Sequence, residues 1–173
     1  MENFTNETID TAQLPKFEEV TFTNLHPKYI RVVLINLVLF IGMLILVPIL
    51  FSIFKPKLFS GRVWLILGIV ISLISTLSIV FSILGFKNKG FAFREHDVLF
   101  RHGVIAVNTI VIPYNRVQHV ALHEAFISRY FGLAKIEIFT AGGSSSDIEI
   151  PGIDKEQAEN IKQLLMGKIQ KQL

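Results

Sequence analysis

The sequence of 173 residues contains no cysteine. Disulfide bonds, thiolate metal ligands and a cysteine nucleophile are therefore excluded. Charged residues are also scarce, at 18% of the chain, whereas hydrophobic residues make up 51%. The mean hydropathy of +0.51 is too high for a typical soluble protein. We therefore expect part of the chain to lie in a membrane.

Charged residues are missing altogether from two long segments. Residues 32–54 and residues 63–86 contain no Asp, Glu, Lys or Arg. A helix of this size is about 35 Å long, which is enough to cross a hydrocarbon core of about 30 Å. The sequence therefore predicts transmembrane helices at 30–54 and 63–86, joined by a short basic loop at 55–62.

The composition of these helices also bears on function. Neither uncharged segment contains an ionisable residue, which argues against a transporter or a proton relay. Small residues recur at every fourth position of the second helix, at Gly68, Ser72 and Thr76. Such a stripe lets another helix approach closely, and we expect it to face Gly42 and Pro48 of the first helix. The alternative is that these small residues simply face lipid.

Outside the helices, acidic residues are frequent in the N-terminal segment and basic residues lie next to the helix ends. Residues 1–29 form a polar, acidic tail that is a poor signal-peptide n-region, so we expect the first helix to remain as an anchor. The net charge of +3 forms no basic stripe of the kind that nucleic acid requires. Instead, a group that we term the basic collar flanks the helices: Lys28, Arg31, Lys55, Lys57, Arg62, Lys87, Lys89 and Arg94.

The distribution of basic residues predicts the orientation in the membrane. The side that holds both termini has seven basic residues near the helices, and the loop has three. The seven are Lys16, Lys28, Arg31, Lys87, Lys89, Arg94 and Arg101. By the positive-inside rule, we expect a multi-pass protein of the cytoplasmic (inner) membrane with both termini in the cytoplasm. The high charge density of the short loop favours the opposite orientation.

Residues 87–173 have the pattern of a small α+β domain. Alternating apolar and polar residues predict six or seven antiparallel strands, and "AFISRYFG" predicts a helix of one or two turns. The C-terminal segment has an apolar stripe at helical spacing, formed by Ala158, Ile161, Leu164, Leu165 and Ile169. An amphipathic helix of this kind is expected to cover the open end of a bent sheet.

Several short motifs in the same region suggest a family. They are Arg101-x-Gly103, Pro113-Tyr114-x-Arg116-x-Gln118, Arg129-x-Phe131-Gly132, Thr140-Ala141-Gly142 and Pro151-Gly152. Their order resembles the bacterial pleckstrin-homology (PH) domain of YdbS-type membrane proteins, in which two transmembrane helices precede one such domain. The resemblance implies a PH-like antiparallel β-barrel capped by the C-terminal helix. It also implies no catalytic activity, no cofactor, and a larger family member with several copies of the domain as a partner.

Two histidines four residues apart raise the question of a metal site. On a helix, His119 and His123 would lie together, but on a strand they are about 13 Å apart. One zinc ion, with bonds of about 2 Å to nitrogen, cannot bridge that distance. The alternation around them predicts a strand, and thus no metal site. His96 and His102 lie near turns, and the run "GGSSS" at 142–146 is expected to form a hairpin turn rather than a phosphate cradle.

Three polar residues of the motifs, Arg116, Gln118 and Arg129, have two possible roles. In the structural one, Arg116 and Gln118 hold the loop before Arg129 through hydrogen bonds. In the functional one, the three act with Lys87, Lys89 and Arg94 to contact lipid headgroups or a partner's acidic surface. Each basic residue near an anionic leaflet contributes about 1 kcal/mol. A domain tethered next to a transmembrane helix is already at the membrane surface, so weak contacts would be occupied.

These patterns together predict a non-catalytic, membrane-anchored PH-like module that mediates protein assembly, headgroup contact or both. Envelope stress and antimicrobial resistance are the processes in which we expect it. The expected partners are membrane lipids and other membrane proteins, with no nucleic acid. The alternative is an accessory, non-catalytic subunit of an envelope enzyme or export system.

Overall fold

A computed structural model describes residue 8, residues 19–143 and residues 147–170. Its helices are α1 (Tyr29–Phe54), α2 (Gly61–Asn88), α3 (Phe126–Tyr130) and α4 (Lys155–Gln170). Its strands are β1 (Thr23–Asn24), β2 (Gly90–Phe93), β3 (Asp97–His102), β4 (Asn108–Pro113), β5 (Val117–His123), β6 (Leu133–Thr140) and β7 (Ile148–Asp154). Short 3-10 turns lie at Pro56–Leu58 and Tyr114–Arg116. Most of the acidic tail and residues 144–146 of the expected hairpin turn lie outside the described residues.

The two long helices lie where the uncharged segments predicted them. α1 has 26 residues and α2 has 28, and both are long and apolar enough to cross a membrane. They form an antiparallel pair, but most of their apolar side chains are exposed. The small domain therefore does not cover these helices, and their apolar surface is available to lipid.

The expected role of the small-residue stripe in this helix pair is wrong. Gly68, Ser72 and Thr76 are exposed, and a Cβ added at Gly68 would meet no atom within 4 Å. α2 instead faces α1 with the residues that directly precede Gly68 and Ser72. These are Leu67 and Ile71, which are half-buried. The Thr76 hydroxyl donates to the carbonyl of Ser72 at 2.9 Å, so it is satisfied within its own helix.

The strands form two antiparallel sheets rather than the closed barrel expected from the sequence. One sheet has the order β1-β2-β3-β4, and the other has the order β5-β6-β7. β1 comes from the segment expected to be a polar tail, and it pairs with β2 through Thr23 opposite Phe91. A strand of two residues is too short to produce an alternating pattern, which is why the sequence did not reveal it.

The core lies between the two sheets and beneath α4. Val98, Ile136 and Ile150 are completely buried there. α4 contacts all three strands of the second sheet, so the prediction of a C-terminal cap is confirmed. Ala158 and Leu165 are its fully buried residues.

One position of the predicted α4 stripe is wrong. Leu164 is 47% exposed, whereas its neighbour Leu165 is 0% exposed. Successive residues of a helix are turned by about 100°, since it has 3.6 residues per turn, so the two leucines cannot share one face. Leu165 lies seven residues after the buried Ala158 and therefore on the same side, while Leu164 points away from the core.

Candidate functional site

The polar site of greatest interest is a cleft between the ends of the long helices and the two sheets. Tyr29 is the first residue of α1, Lys89 directly follows α2, and His102 ends β3. These three residues line two adjoining cavities of about 400 and 380 Å³. Lys135 of β6 and Glu149 of β7 also line the larger one. We refer to these five residues as the junction cleft.

A close contact with β7 fixes Tyr29 in the cleft. Gly152 has a φ of +65°, a conformation that favours glycine. A Cβ at this position would lie 2.4 Å from Cγ of Tyr29, so the ring needs the space that glycine leaves. The backbone N–H of His26 donates to the carbonyl of Gly152 at 2.8 Å. The Pro151-Gly152 motif therefore joins the start of α1 to the second sheet.

A second glycine of the motifs joins α2 to the first sheet. Gly103 has a φ of +124°, and a Cβ there would lie 1.9 Å from the carbonyl oxygen of Ala106. Its carbonyl accepts a hydrogen bond from the Asn88 side chain at 3.1 Å. In the same loop, a side-chain carbon of Val104 lies 3.3 Å from where a Cβ of Gly85 would be. The loop between β3 and β4 therefore packs on the end of α2.

The charges in the junction cleft leave Lys89 without a close partner. Burial lowers the pKa of Lys89, and the charge of Glu149 partly opposes this. In the described part of the chain, Lys89 has no carboxylate within 4.0 Å. Lys135 differs, because its Nζ lies 3.0 Å from Glu149 and 3.6 Å from Glu137. Burial alone would lower the pKa of Lys135, but hydrogen bonds and charge from the two glutamates raise it.

His102 contributes a further polar atom. Its Nδ1 is buried and has no hydrogen-bond partner among the residues that the structure describes. The imidazole ring stacks on Phe100 with a centroid distance of 5.3 Å. Because this nitrogen is buried, the groups of the cleft that suit the oxygen atoms of an anion are the lysine ammonium and the tyrosine hydroxyl, which are both hydrogen-bond donors. The arrangement is therefore suited to anion binding.

The three collar residues that were candidates for headgroup contact, Lys87, Lys89 and Arg94, do not lie together in the structure. Lys87 is exposed in the last turn of α2, and Lys89 lines the junction cleft. Arg94 lies at the opposite end of the β2–β3 hairpin, about 17 Å from His102 at roughly 3.3 Å per residue. Its guanidinium donates two hydrogen bonds to the carboxylate of Asp97, at 2.6 and 2.5 Å. Arg94 is thus engaged within the turn and is not brought to Lys89.

The motif residues Arg116, Gln118 and Arg129 are not brought together either. Arg116 ends a 3-10 turn, Gln118 is exposed at an irregularity in β5, and Arg129 is exposed on α3. Across residues 19–143 and 147–170, no side-chain hydrogen bond joins the three, so the expected structural role is not observed. What holds this region is a backbone bond, in which the N–H of Ala141 donates to the carbonyl of Arg116 at 3.0 Å.

Other motif residues build the frame of the domain. The Tyr114 hydroxyl donates to the carbonyl of Arg94 at 2.7 Å, and burial raises the pKa of Tyr114 to about 12. The guanidinium of Arg101 lies 4.5 Å from the ring centre of Phe22, which precedes β1. Phe131 packs edge-on against the neighbouring Tyr130. These contacts position strands and turns and do not point to a ligand.

The paired histidines lie on a strand, as the sequence predicted. His119 and His123 are exposed on β5. His119 stacks on Phe139 at 4.1 Å, and Nε2 of His123 lies 3.0 Å from a carboxylate oxygen of Glu137. Within the described ranges, no three His, Asp or Glu residues cluster as metal ligands.

Comparisons with known proteins agree with this architecture. The sequence model of the bacterial PH domain family matches residues 20–169, which is most of the chain and includes β1. The chain belongs to the bacterial PH domain family. It is also similar to "UPF0699 transmembrane protein YdbS" of Bacillus subtilis (strain 168), with 29% identity over 104 residues. That match covers 59% of this chain and 58% of the relative. No solved structure matches the chain significantly.

Family membership shows the PH-like domain, and the two long apolar helices, with the similarity to a transmembrane protein, indicate its membrane anchor. The motifs of the family are visible in the sequence, whereas most of the junction cleft is not. Tyr29, His102, Lys135 and Glu149 are far apart in the chain, and only Lys89 was among the candidates. One signal was present, because a Pro-Gly pair at the end of a predicted strand suggests that another part of the chain approaches closely.

Proposed function

We propose that the protein is a non-catalytic module of the cytoplasmic membrane whose PH-like domain binds an anionic lipid headgroup in the junction cleft. The observation that carries this proposal is the position of Lys89. It directly follows a transmembrane helix, where headgroups lie, and it is half-buried without a close carboxylate. A buried cation without a partner is costly, so an anionic group that enters the cleft relieves that cost.

The chemistry of the cleft suits a phosphate group. Lys89, Tyr29 and His102 all line the same two cavities. Glu149 is paired with Lys135 at 3.0 Å, and Asp147, which also lines the larger cavity, accepts a hydrogen bond from the backbone N–H of Thr140 at 2.8 Å. Lys89 is therefore the cation of the cleft that has no carboxylate of a described residue within 4.0 Å. The phosphate of a lipid headgroup and free phosphate share this chemistry, and only the former is held at high concentration beside α2.

Thermal unfolding of the full-length protein in a mild detergent tests the proposal. Short-chain phosphatidylglycerol should raise the Tm of the parent protein more than short-chain phosphatidylcholine does. Lys89→Gln should abolish this difference, whereas the matched control Lys87→Gln, at an exposed position of the collar, should retain it. Equal shifts in the parent and Lys89→Gln would reject the cleft as the headgroup site. A comparable shift with inorganic phosphate alone would identify free phosphate as the ligand instead.

We also propose that the module assembles with other membrane proteins, including a larger family member with several PH-like domains. Support comes from the exposed outer face of the helix pair, which carries Gly68, Ser72 and Thr76 away from α1. Small residues on such a face permit close packing of a further helix. Purification in mild detergent, followed by mass spectrometry of bound chains, tests this. Recovery of the same partners with Gly68→Leu and Ser72→Leu would exclude this face as the contact.

A further inference from the structure

Two apolar projections of the PH-like domain are exposed, one beside α1 and the other beside α2. α3 presents Phe126, which is 91% exposed, and Tyr130, which is 85% exposed. The loop between β3 and β4 presents Ile105, which is 89% exposed. Clustered large apolar side chains at a surface indicate an interaction site. The sequence predicted the helix α3, but not that its aromatic side chains are exposed.

Both projections lie directly against the transmembrane helices. Phe126, Tyr130 and Arg129 of α3 line a groove of about 490 Å³ together with Ile35 of α1. Val104, which precedes Ile105, packs on α2 at Gly85. The apolar surface of the projections is thus continuous with the apolar surface of the helices.

The positions of these contacts along the helices match the edge of the bilayer. About 20 helical residues fill the hydrocarbon core. In α1, the 20 residues that end at Phe54, directly before the basic loop, begin at Ile35. In α2, the 20 residues that begin at Val63 end at Ser82. α3 therefore lies at the boundary of the hydrocarbon, and the contact at Gly85 lies about 4.5 Å beyond it, at 1.5 Å per residue.

We propose that the domain docks on the bilayer by inserting Phe126, Tyr130 and Ile105 into the boundary between acyl chains and headgroups. Tyrosine is enriched at this depth because its ring is apolar and its hydroxyl remains near water. Arg129 lies beside the two aromatic residues and can extend its guanidinium to the phosphates while its stem stays in the apolar layer. At the opposite membrane edge, Trp64 at the start of α2 packs on Phe59, so aromatic side chains lie at that interface as well.

This docking fixes the domain in one orientation on the membrane. α3 lies beside α1 and the β3–β4 loop lies beside α2, so insertion at both places restrains rotation of the two sheets about the helix ends. The turn at His96 is then held away from the lipid, because it lies at the opposite end of β3 from the loop that packs on α2. Insertion does not depend on an anion in the junction cleft, so the two proposals can fail separately.

Nitroxide accessibility in the full-length protein tests the docking. The chain has no cysteine, so single cysteines at Phe126 and Ile105 can be labelled without background. Leu164 is the matched apolar control, since it is exposed but lies on α4, and His96 is the polar control. The protein is reconstituted in nanodiscs of phosphatidylcholine and phosphatidylglycerol.

We expect labels at positions 126 and 105 to collide several-fold more with oxygen than with a water-soluble nickel complex, relative to both controls. Collision ratios equal to those of His96 would overturn the proposal and leave the projections for a protein partner. Melting curves of each labelled variant establish that it is folded. Quenching by brominated lipids provides a second measurement, and strong quenching at 126 and 105 but not at 164 is the result that insertion requires.

Discussion

The ring of Tyr29 lies against the backbone of Gly152, so close that a Cβ at Gly152 would be 2.4 Å from Cγ of the ring. This contact connects the first residue of α1 to β7 of the second sheet. The same tyrosine ring lies 6.4 Å from that of Phe86 in α2. One aromatic residue thus contacts both transmembrane helices and the PH-like domain, which makes the junction a structural unit.

We predict that Gly152→Ala strongly destabilises the protein. A left-handed conformation costs an alanine about 1–2 kcal/mol, and overpacking against Tyr29 adds about 1–3 kcal/mol. Gly132→Ala is the matched control, because Gly132 also has a positive φ but no atom within 4 Å of an added Cβ. Chemical denaturation in detergent measures both variants. Equal losses of stability would mean that the Tyr29 contact contributes nothing. Tyr29→Gly, which removes the ring and also the Cβ that lies 2.7 Å from an added Cβ, should reduce the difference between the two variants to the cost of the backbone conformation.

We predict that Leu165→Asp unfolds or severely destabilises the domain, while Leu164→Asp has little effect. Leu165 is fully buried against the sheet, and burial of an unpaired charge costs several kcal/mol. An exposed substitution such as Leu164→Asp is expected to change stability by about 0.5 kcal/mol or less. Urea unfolding of both variants provides the comparison. A large loss with Leu164→Asp would contradict the observed packing of α4.

The sequence predicted those parts of the fold that produce local periodic patterns. Both long helices, the short α3 and the C-terminal cap appear as expected, because each has an uncharged segment or an apolar stripe of its own. The division into two sheets and the pairing of β1 depend on contacts between distant residues. The junction cleft was missed for the same reason, since Tyr29 and Glu149 meet only after the sheets have packed against the helix ends.

We predict that Tyr114 contributes to a loss of stability at alkaline pH. Its pKa in the folded protein is about 12, above the usual 10, because burial disfavours the phenolate. The neutral form is therefore favoured by folding. Its contribution is fully present below pH 10 and is lost as the pH rises from about 10 towards 12.

Tyr114→Phe should remove this pH dependence and also the hydrogen bond to Arg94, which costs about 1 kcal/mol at neutral pH. Tyr130→Phe is the matched control at an exposed position. Unfolding free energies measured between pH 8 and pH 11 distinguish the variants. If Tyr114→Phe keeps the same slope as the parent above pH 10, then Tyr114 does not cause the alkaline loss.

Finally, we predict that both termini and the PH-like domain face the cytoplasm. The expectation follows from seven basic residues near the helices on the domain side against three in the loop. One of the seven, Lys16, lies outside the described residues. In the structure, Lys89 lines the junction cleft and Arg94 is paired with Asp97 in the turn, but the positive-inside rule acts during insertion, before the domain folds. The orientation therefore does not depend on the folded positions of these side chains.

Cysteine labelling in intact cells measures the orientation. A cysteine at Ser60, an exposed residue of the loop between α1 and α2, should react with a membrane-impermeant thiol reagent. A cysteine at His96, exposed in the β2–β3 turn, should react only after the cells are permeabilised. The reverse pattern would place the domain outside the cell, and the dense charge of the loop would then have decided the insertion. In that case the junction cleft and the apolar projections would meet the outer leaflet. Because the outer leaflet has fewer anionic lipids in many membranes, the attraction between Lys89 and anionic headgroups would be weaker there.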